Sequence, residues 1–390
     1  MSYYGLKSIR LLSLFILLAL AACNTSDIRN LSAIARSSDP GATATKVLQQ
    51  KGQYYAAHPE QLAADIRAFK RVVGSIWGDE NVQEPGPRDY VKYTDKYYNR
   101  AHIDFEAGTV TVETVAPGKQ REYLKKAIVT TLLTPDDPRK VDLYTDSTPA
   151  PSGKPFLYQQ VLDQDGKPIQ WQWRAGRYAD YLIKNKLTRI KIGTHNGLRV
   201  VFPLVAGSEQ IRAYKYASIV RKYSDKYRIT ESLIYGIIKT ESEFNPFAVS
   251  PAPAYGLMQI VPATAGRDVY DKLKNRSGQP SANDLYDPDN NIDIGAGYLS
   301  ILQNNYLAGI RDNNSMRYSM IAAYNGGAGN ALNTFSTDRS QAISRINGLS
   351  SDQVFRQLTT SNPSVESRRY LYKVNEAQKE FWANNGFSGK

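Results

Sequence analysis

The feature that most constrains the fold is a change of hydrophobic pattern about halfway along the 390-residue chain. Before Gly207, short runs alternate apolar and polar residues and are separated by turn sequences, which is typical of strands. After Gly207 these strand signals disappear, and segments separated by Gly, Pro and Asn have the character of helices. The sequence therefore predicts an α+β N-terminal domain followed by an all-α domain, with the boundary between 203 and 208.

The N-terminal part begins with a helical pattern and continues with three predicted hairpins. Apolar residues recur at spacings of three and four from about Thr43 to Trp77, which indicates an amphipathic helix. Turn sequences at 106–108, 163–166 and 195–197 each lie between short apolar runs and predict the hairpins. The run YVKYTDKYY is interpreted as alternating strand surface, although aromatics beside lysines could also bind sugars.

Residues 1–22 have the pattern of an export signal. Lys7 and Arg10 precede the apolar run LLSLFILLALAA, which ends in small residues. The run is well short of the ~20 residues that a membrane-spanning helix needs. We therefore expect a cleaved signal rather than a transmembrane helix.

Cys23 is the one cysteine of the chain and follows the signal directly. A lone cysteine cannot form a disulfide within an exported domain, and a buried thiol is not expected so close to a signal. Leu-Ala-Ala-Cys resembles a bacterial lipobox, which implies a lipoprotein whose Cys23 is lipidated, for example with palmitate. In that sorting pattern Asn24 favours the outer membrane, where the protein would face the periplasm, and the polar residues 23–42 would form a tether.

The chain is basic, with a formal charge of +12. Such a field attracts polyanions. In an exported lipoprotein, the peptide carboxylates of the cell wall are a better partner than nucleic acid. His58, His102 and His195 are isolated and match no metal-binding spacing, so neither a metal nor another cofactor is predicted. The segment 287–291 begins like a calcium loop but lacks the required glycine and glutamate, and is interpreted as a loop.

One predicted helix carries a carboxyl group on its apolar side. Glu241 lies seven residues after Ile234, four after Ile237 and three after Ile238, so at 3.6 residues per turn it faces inward with them. Pro246 ends the helix soon afterwards, which places Glu241 in the last turn. Burial and the negative end of the helix dipole would both raise its pKa. A carboxyl group that stays protonated near neutral pH suits a general acid, whereas the alternative is a structural glutamate paired with a cation.

The neighbouring acidic residues do not complete a carboxyl pair in the sequence. Glu243 lies roughly 200° around the helix from Glu241 and is predicted to be a solvated surface charge. Glycosidases usually need a second carboxyl group within about 5–10 Å. The local segment supplies none, and the distant Glu366 stays open as a candidate.

Four motifs in this order resemble the soluble-lytic-transglycosylase family of murein enzymes. They are TESEFNPFAVS at 240–250, AYGLMQIVPATA at 254–265, AAYNGG at 322–327 and ESRRYLYKV at 366–374. Between Ser250 and Gly256, Pro253 and Tyr255 stand where the family often has small residues. The resemblance implies a goose-type, lysozyme-like catalytic domain over 206–390, preceded by an α+β accessory domain over 43–205.

The resemblance also implies the reaction. Family members cleave the β-1,4 bond between MurNAc and GlcNAc in peptidoglycan and leave a 1,6-anhydro-MurNAc end. Glu241 would protonate the leaving oxygen and then, as a base, accept the proton of the substrate's own C6 hydroxyl, with help from the substrate N-acetyl group. That chemistry needs no second carboxyl group and no cofactor.

Roles for further residues come from the same motifs. Ser250 corresponds to a serine that hydrogen-bonds the catalytic carboxyl group, and Tyr324 to a tyrosine whose hydroxyl points at it. Asn325 would contact the active site, and Tyr370 would line the glycan groove.

The GLMQI segment adds the remaining predicted substrate contacts. Gly256 allows close backbone approach, Met258 would offer an apolar wall, and the Gln259 amide would bind N-acetyl or hydroxyl groups. Thr264 either caps a helix or touches sugar.

Two other functions remain open from the sequence. A lysozyme-type muramidase, which is a hydrolase, could use the same acid if a second carboxyl group were present. A non-catalytic wall-binding lipoprotein is the other, and Glu241 argues against it.

Overall fold

The computed structural model describes the backbone of residues 59–384, and their side chains from 63 onwards. The predicted signal 1–22, the lipidation site Cys23, the tether 23–42 and the first part of the predicted N-terminal helix lie outside the described residues. Within 59–384, no helix combines the length and the apolar character needed to cross a membrane.

The N-terminal domain is an antiparallel sheet of five strands in the order β1-β2-β3-β5-β4, counted over the described residues. Helices lie along it and fill the connections. The strands are β1 Asp89–Thr94, β2 Asn99–Asp104, β3 Thr109–Thr114, β4 Thr188–Ile192 and β5 His195–Pro203. The helices are α1 Pro59–Trp77, α2 Gln120–Leu132 and α3 Gln172–Asn185.

Two of the three predicted hairpins are present. Strands β2 and β3 pair around 106–108, which confirms the first. Strands β4 and β5 form another, but its turn lies at Gly193 and Thr194, because Ile192 pairs with His195 and Gly193 has a φ of 56°. The prediction at 163–166 is wrong: that turn closes an isolated bridge, and the chain then enters α3.

The tyrosine-rich strand β1 is buried on both faces. Tyr90 is 1% exposed and packs into the main core, whereas Val91 and Tyr93 pack against Phe69 and Trp77 of α1 on the opposite face. The sequence interpretation as strand surface, or as a sugar-binding run, is therefore wrong, because helices cover both sides of the sheet.

The C-terminal domain is helical as far as residue 384, apart from isolated β-bridges of Tyr255 to Val249 and Ile260. The helices are α4 Ser208–Tyr227, α5 Glu231–Ser242, α6 Arg267–Lys272, α7 Ala282–Leu285, α8 Pro288–Ile301, α9 Asn313–Gly326, α10 Ala328–Asn333, α11 Arg339–Asn347, α12 Ser351–Thr360 and α13 Val365–Ala383. The predicted fold class, α+β followed by all-α, is confirmed. The loop predicted at 287–291 is the start of α8, because the Asp287 carboxylate accepts from the N–H groups of Asp289 and Asn290 and caps the helix.

Helices α5 and α13 pack in close contact at the centre of this domain. A Cβ atom at Gly236 of α5 would lie 3.0 Å from the Val374 carbonyl oxygen of α13, which is tighter than an ordinary contact, so glycine favours this close approach. One turn before Val374, α13 carries Tyr370, which the packing places beside the C-terminal end of α5.

The two domains share one hydrophobic core. Phe247, which follows α5, packs edge-on against Tyr90 at 5.0 Å and against Phe156 at 5.2 Å between ring centroids. An ion pair of 2.6 Å joins Arg139 to Asp287 across the same boundary. The accessory domain is therefore packed against the segment that follows α5.

Because this core is continuous, we expect the wild-type chain to unfold in one transition. Phe247→Ala should cost about 3–5 kcal/mol of unfolding free energy and should separate the unfolding of the two domains. Phe381→Ala is a matched control, because Phe381 is 4% exposed and packs on Tyr235 within the C-terminal domain. It should destabilise the chain without separating the transitions. Calorimetry checks both variants, and two resolved transitions in the wild type would contradict the shared core.

Candidate active site

Glu241 lies in the last turn of α5, as the periodicity predicts. Behind it, Ile234, Ile237 and Ile238 are 0% exposed, whereas Glu241 keeps part of its surface accessible. The helix ends at Ser242, and Glu243 and Phe244 follow with φ of 50° and 60°. A carboxyl group thus sits at the edge of the core, where it is largely dehydrated and still open on one side.

Tyr370 holds this carboxyl group directly. Its buried hydroxyl donates to Glu241 Oε1 at 2.7 Å. The sequence predicted a groove-lining role for Tyr370 and gave the carboxyl-directed hydroxyl to Tyr324. In the structure, the Tyr324 hydroxyl donates instead to the Met258 carbonyl oxygen at 2.8 Å, although Tyr324 lies near enough for the Glu241 charge to raise its pKa further above the value that burial gives it.

Burial raises the pKa of Glu241 to about 7. The Tyr370 hydrogen bond and the positive charge of Arg88 act against burial, while the negative charge of Glu366 acts with it. The net result is a carboxyl group that is part protonated and part ionised near neutral pH, as a residue that first gives and then accepts a proton requires.

Glu243 differs from its prediction as a solvated surface charge. Burial raises its pKa to about 7, and the charge of Glu209 adds to the shift. The reason is that α5 has ended by this residue, so the helical rotation no longer determines where its side chain points.

The loop from Tyr255 to Ile260 lies beside Tyr324, and a buried asparagine holds the loop backbone in place. Asn291 of α8 is 0% exposed and donates to the carbonyl oxygens of Tyr255 and Leu285, both at 2.8 Å. It also accepts from the Met258 N–H at 2.8 Å. Asn291 was not among the predicted site residues, because its segment was interpreted as a loop. The Asp-Pro pair at 287–288 is typical of a helix start, and it could have indicated that Asn291 lies in the first turn of a helix.

Gln259 has the features of a ligand-binding amide. Its φ is 46°, and its Nε2 donates to the Gly256 carbonyl oxygen at 3.0 Å. Its Oε1 is buried and accepts no hydrogen bond within the described part of the chain. A buried acceptor in this state can take a donor from a substrate, such as an amide N–H or a hydroxyl.

Three other predicted contacts are placed differently. The Ser250 hydroxyl donates to the Ala252 carbonyl oxygen and accepts from the Ala254 N–H, so it closes its own turn rather than binding Glu241. Met258 is 0% exposed and packs in the core rather than forming a wall of the cleft. The close approach at Gly256 is to the protein itself, since a Cβ there would lie 2.4 Å from Leu285 O. Tyr255, which stands where the family often has a small residue, is buried against Tyr286.

Thr264 lies at the surface, and Asn325 lies where α9 meets α13. Thr264 is exposed in the π-helical turn Pro262–Gly266, where no side-chain capping hydrogen bond is present among the described residues, and its contact with sugar stays a prediction. Asn325 Nδ2 donates to Glu366 Oε1 at 3.2 Å, and its Oδ1 accepts from Ser367 at 2.8 Å. Asn325 therefore positions Glu366, whose charge acts on Glu241.

Two family models match the chain. One describes the N-terminal domain of membrane-bound lytic murein transglycosylase C and matches residues 55–215. The other describes the transglycosylase SLT domain and matches residues 218–347.

Similar proteins carry the same description. A membrane-bound lytic murein transglycosylase C from Yersinia enterocolitica is 50% identical over 338 residues, which cover 85% of this chain and 94% of the relative. One from Photorhabdus laumondii is 53% identical over 314 residues, covering 80% and 88%. Among solved structures, the 70 kDa soluble lytic transglycosylase from Escherichia coli is 27% identical over 44% of this chain and 24% of that chain, with a TM-score of 0.34.

The raised pKa of Glu241 predicts how stability depends on pH. Folding favours the protonated form of Glu241. The stability that this group gives to the folded protein is therefore complete below about pH 4.5 and is lost as the pH rises through about 7. Glu243 acts in the same direction. Each group accounts for up to about 3 kcal/mol of this loss. Urea unfolding between pH 4 and 8 should show a smaller slope for Glu241→Gln than for the wild type.

The matched control for this measurement is Glu376→Gln, which removes an exposed carboxylate of α13. Its slope should equal that of the wild type. An unchanged slope in Glu241→Gln would mean that the carboxyl group is ionised in the folded protein.

Proposed function

The chain belongs to the membrane-bound lytic murein transglycosylase C family, and on that premise we propose that Glu241 is the single acid and base of its reaction. As a member, it is a peptidoglycan lytic transglycosylase. The observation that carries the proposal is the position of Glu241: a half-buried carboxyl group with a pKa of about 7, which accepts a hydrogen bond from Tyr370 and forms no ion pair with a cation among residues 63–384.

In the first step the protonated Glu241 donates to the oxygen between MurNAc and GlcNAc. The bond from MurNAc C1 to that oxygen breaks, and GlcNAc leaves with the bonding electrons and the proton. The positive charge left at C1 is stabilised by the substrate's own N-acetyl oxygen. Glu241 becomes a carboxylate, which the Tyr370 hydroxyl stabilises through its hydrogen bond of 2.7 Å.

In the second step the carboxylate accepts the proton of the MurNAc C6 hydroxyl. The C6 oxygen forms a bond to C1, which closes the 1,6-anhydro ring, and Glu241 returns to its protonated form. Water is not consumed, so the products together have the mass of the substrate. A single group can perform both steps because a pKa of about 7 allows it to be protonated for the first step and ionised for the second near neutral pH.

Glu366 is the residue that a hydrolase of the lysozyme type would need as its second carboxylate. It is exposed and accepts a hydrogen bond from Asn325, and its charge raises the pKa of Glu241. We assign it this electrostatic role rather than that of a nucleophile or a base for water.

Three of the proposed substrate contacts have support from their positions. Gln259 offers a buried carbonyl oxygen that has no hydrogen-bond partner in the described part of the chain, Thr264 is exposed near that loop, and Tyr324 lies beside Glu241. Peptidoglycan glycan, with its N-acetyl and hydroxyl groups, supplies the matching donors. Ser250 and Met258 are left out of this set because their polar atoms and side chains are used within the protein.

Attachment to the outer membrane is also a proposal. A lipidated Cys23 would anchor the chain to the inner leaflet, and the tether 23–42 would let the domains 43–205 and 206–390 reach the wall from the periplasmic face. The family name, membrane-bound, agrees with an anchor.

Glu241→Gln should lower the rate of glycan cleavage by roughly 100- to 10,000-fold, because the amide can neither give nor accept the proton. Glu366→Gln is the control: it should retain cleavage and still yield 1,6-anhydro ends. Mass spectrometry of the muropeptides checks both. Products heavier by one water, or loss of all activity in Glu366→Gln, would favour the hydrolase.

Cys23→Ser should release the protein from membranes. After fractionation of a Gram-negative host, the wild type should sediment with the outer membrane and the variant should stay in the soluble periplasm. Asn24→Asp is the sorting control and should move the protein to the inner membrane. Continued sedimentation of Cys23→Ser with membranes would contradict the lipid anchor.

A further inference from the structure

The C-terminal end of α5 is bound by two arginines, and one of them comes from the other domain. Arg88, directly before β1, donates from Nη2 to the Thr240 carbonyl oxygen at 2.6 Å. Arg212 of α4 donates from Nε to the Glu243 carbonyl oxygen at 3.0 Å. Both guanidinium groups thus bind carbonyl oxygens of the backbone that carries Glu241.

Among the described residues, Arg88 lies closer to the end of α5 than to any carboxylate. Its contact with Glu106 is 3.4 Å, longer than the 2.6 Å bond to Thr240, and its Nε is buried without a hydrogen-bond partner in the described residues. The last four carbonyl oxygens of a helix have no partner within the helix and carry partial negative charge. Thr240 supplies one of them and directly precedes Glu241.

The position of Arg88 is fixed by domain packing. The Asn245 amide donates to the Pro87 carbonyl oxygen at 3.1 Å, next to Arg88 in the chain. Tyr90, two residues after Arg88, packs on Phe247. The guanidinium group therefore reaches Thr240 only while the accessory domain is packed against α5.

We propose that Arg88 is a positioning residue by which the N-terminal domain holds the end of α5 and supplies the positive charge that faces Glu241. The inference rests on the proposed role of Glu241 and extends it. It gives the accessory domain a direct influence on the chemistry.

The groups around Glu241 determine the direction of the effect. Tyr370 and Glu366 face it from α13, Tyr324 from α9, and Arg88 from the N-terminal domain. The hydrogen bond of Tyr370 and the charge of Arg88 lower the pKa of Glu241, whereas burial and Glu366 raise it. Without Arg88, the Tyr370 hydrogen bond alone counteracts burial and the charge of Glu366, so the pKa of Glu241 rises.

The test is the pH dependence of kcat/KM on soluble murein glycan strands with the full-length protein. Activity should fall above the pKa of Glu241, because the first step needs its proton. In Arg88→Met this falling limb should move to higher pH by about half a unit, the size expected for a cation at a helix end. A limb that stays at the wild-type pH would overturn the inference.

Variants of the same site separate charge from packing. Arg88→Lys retains the charge and should return the limb toward its wild-type position, whereas Arg88→Gln retains a donor without the charge and should shift it as Arg88→Met does. Phe381→Ala destabilises the C-terminal domain and leaves the contacts that hold Arg88, so its limb should not move even if its unfolding temperature falls. An equal shift in Phe381→Ala would assign the effect to a general loss of packing and overturn the proposal.

A second measurement distinguishes failure of this inference from failure of the proposed function. Carboxyl ¹³C NMR titration of Glu241 reports its pKa without turnover, and Arg88→Met should raise it. Full activity in Glu241→Gln would refute the proposed function, and the NMR titration would still decide the effect of Arg88. An inactive Glu241→Gln with an unchanged titration in Arg88→Met would refute the Arg88 inference alone.

Discussion

The cost of keeping a carboxyl group away from water is the constraint on which the active site depends. An unpaired ionised carboxylate in a protein interior is unfavourable, so a buried group either pairs with a cation or holds its proton. Glu241 does neither completely: it accepts a hydrogen bond from Tyr370, a guanidinium group lies nearby on Thr240, and it remains accessible on one side. Its pKa of about 7 is the balance of these opposing effects.

The pKa of Glu241 depends on residues from elements that are far apart in the chain, and the shared core brings these residues together. Tyr370 reaches Glu241 because α13 packs on Gly236 of α5. Arg88 reaches Thr240 because Phe247 packs between aromatic rings of the N-terminal domain. The same contacts that stabilise the fold therefore set the surroundings of the carboxyl group, and the accessory domain is part of the catalytic architecture.

The sequence could predict the fold class and the inward direction of Glu241, since both follow from local periodicity and α5 continues to Ser242. The position of Glu243 could not be predicted in this way, because the two residues after the helix adopt left-handed backbone conformations and break the rotation. Tyr370 is 129 residues from Glu241, so periodicity gives no information about their hydrogen bond. Even the family resemblance assigned the carboxyl-directed hydroxyl to Tyr324, because motifs identify residues and not the rotamers that bring them into contact.

A single group that gives a proton and then takes one back is limited by its own pKa. A lower pKa would make Glu241 a stronger acid when protonated but would leave it ionised before the reaction, whereas a higher pKa would make the carboxylate a stronger base for the second step while slowing the first step. Two neighbouring charges act on this compromise from opposite sides: Glu366 raises the pKa and Arg88 lowers it. Glu366 is exposed in the helical domain, whereas Arg88 is held by the packing between domains. Loosening that packing would therefore weaken the effect of Arg88 and leave that of Glu366, so the pKa of Glu241 would rise and its proton donation in the first step would become slower.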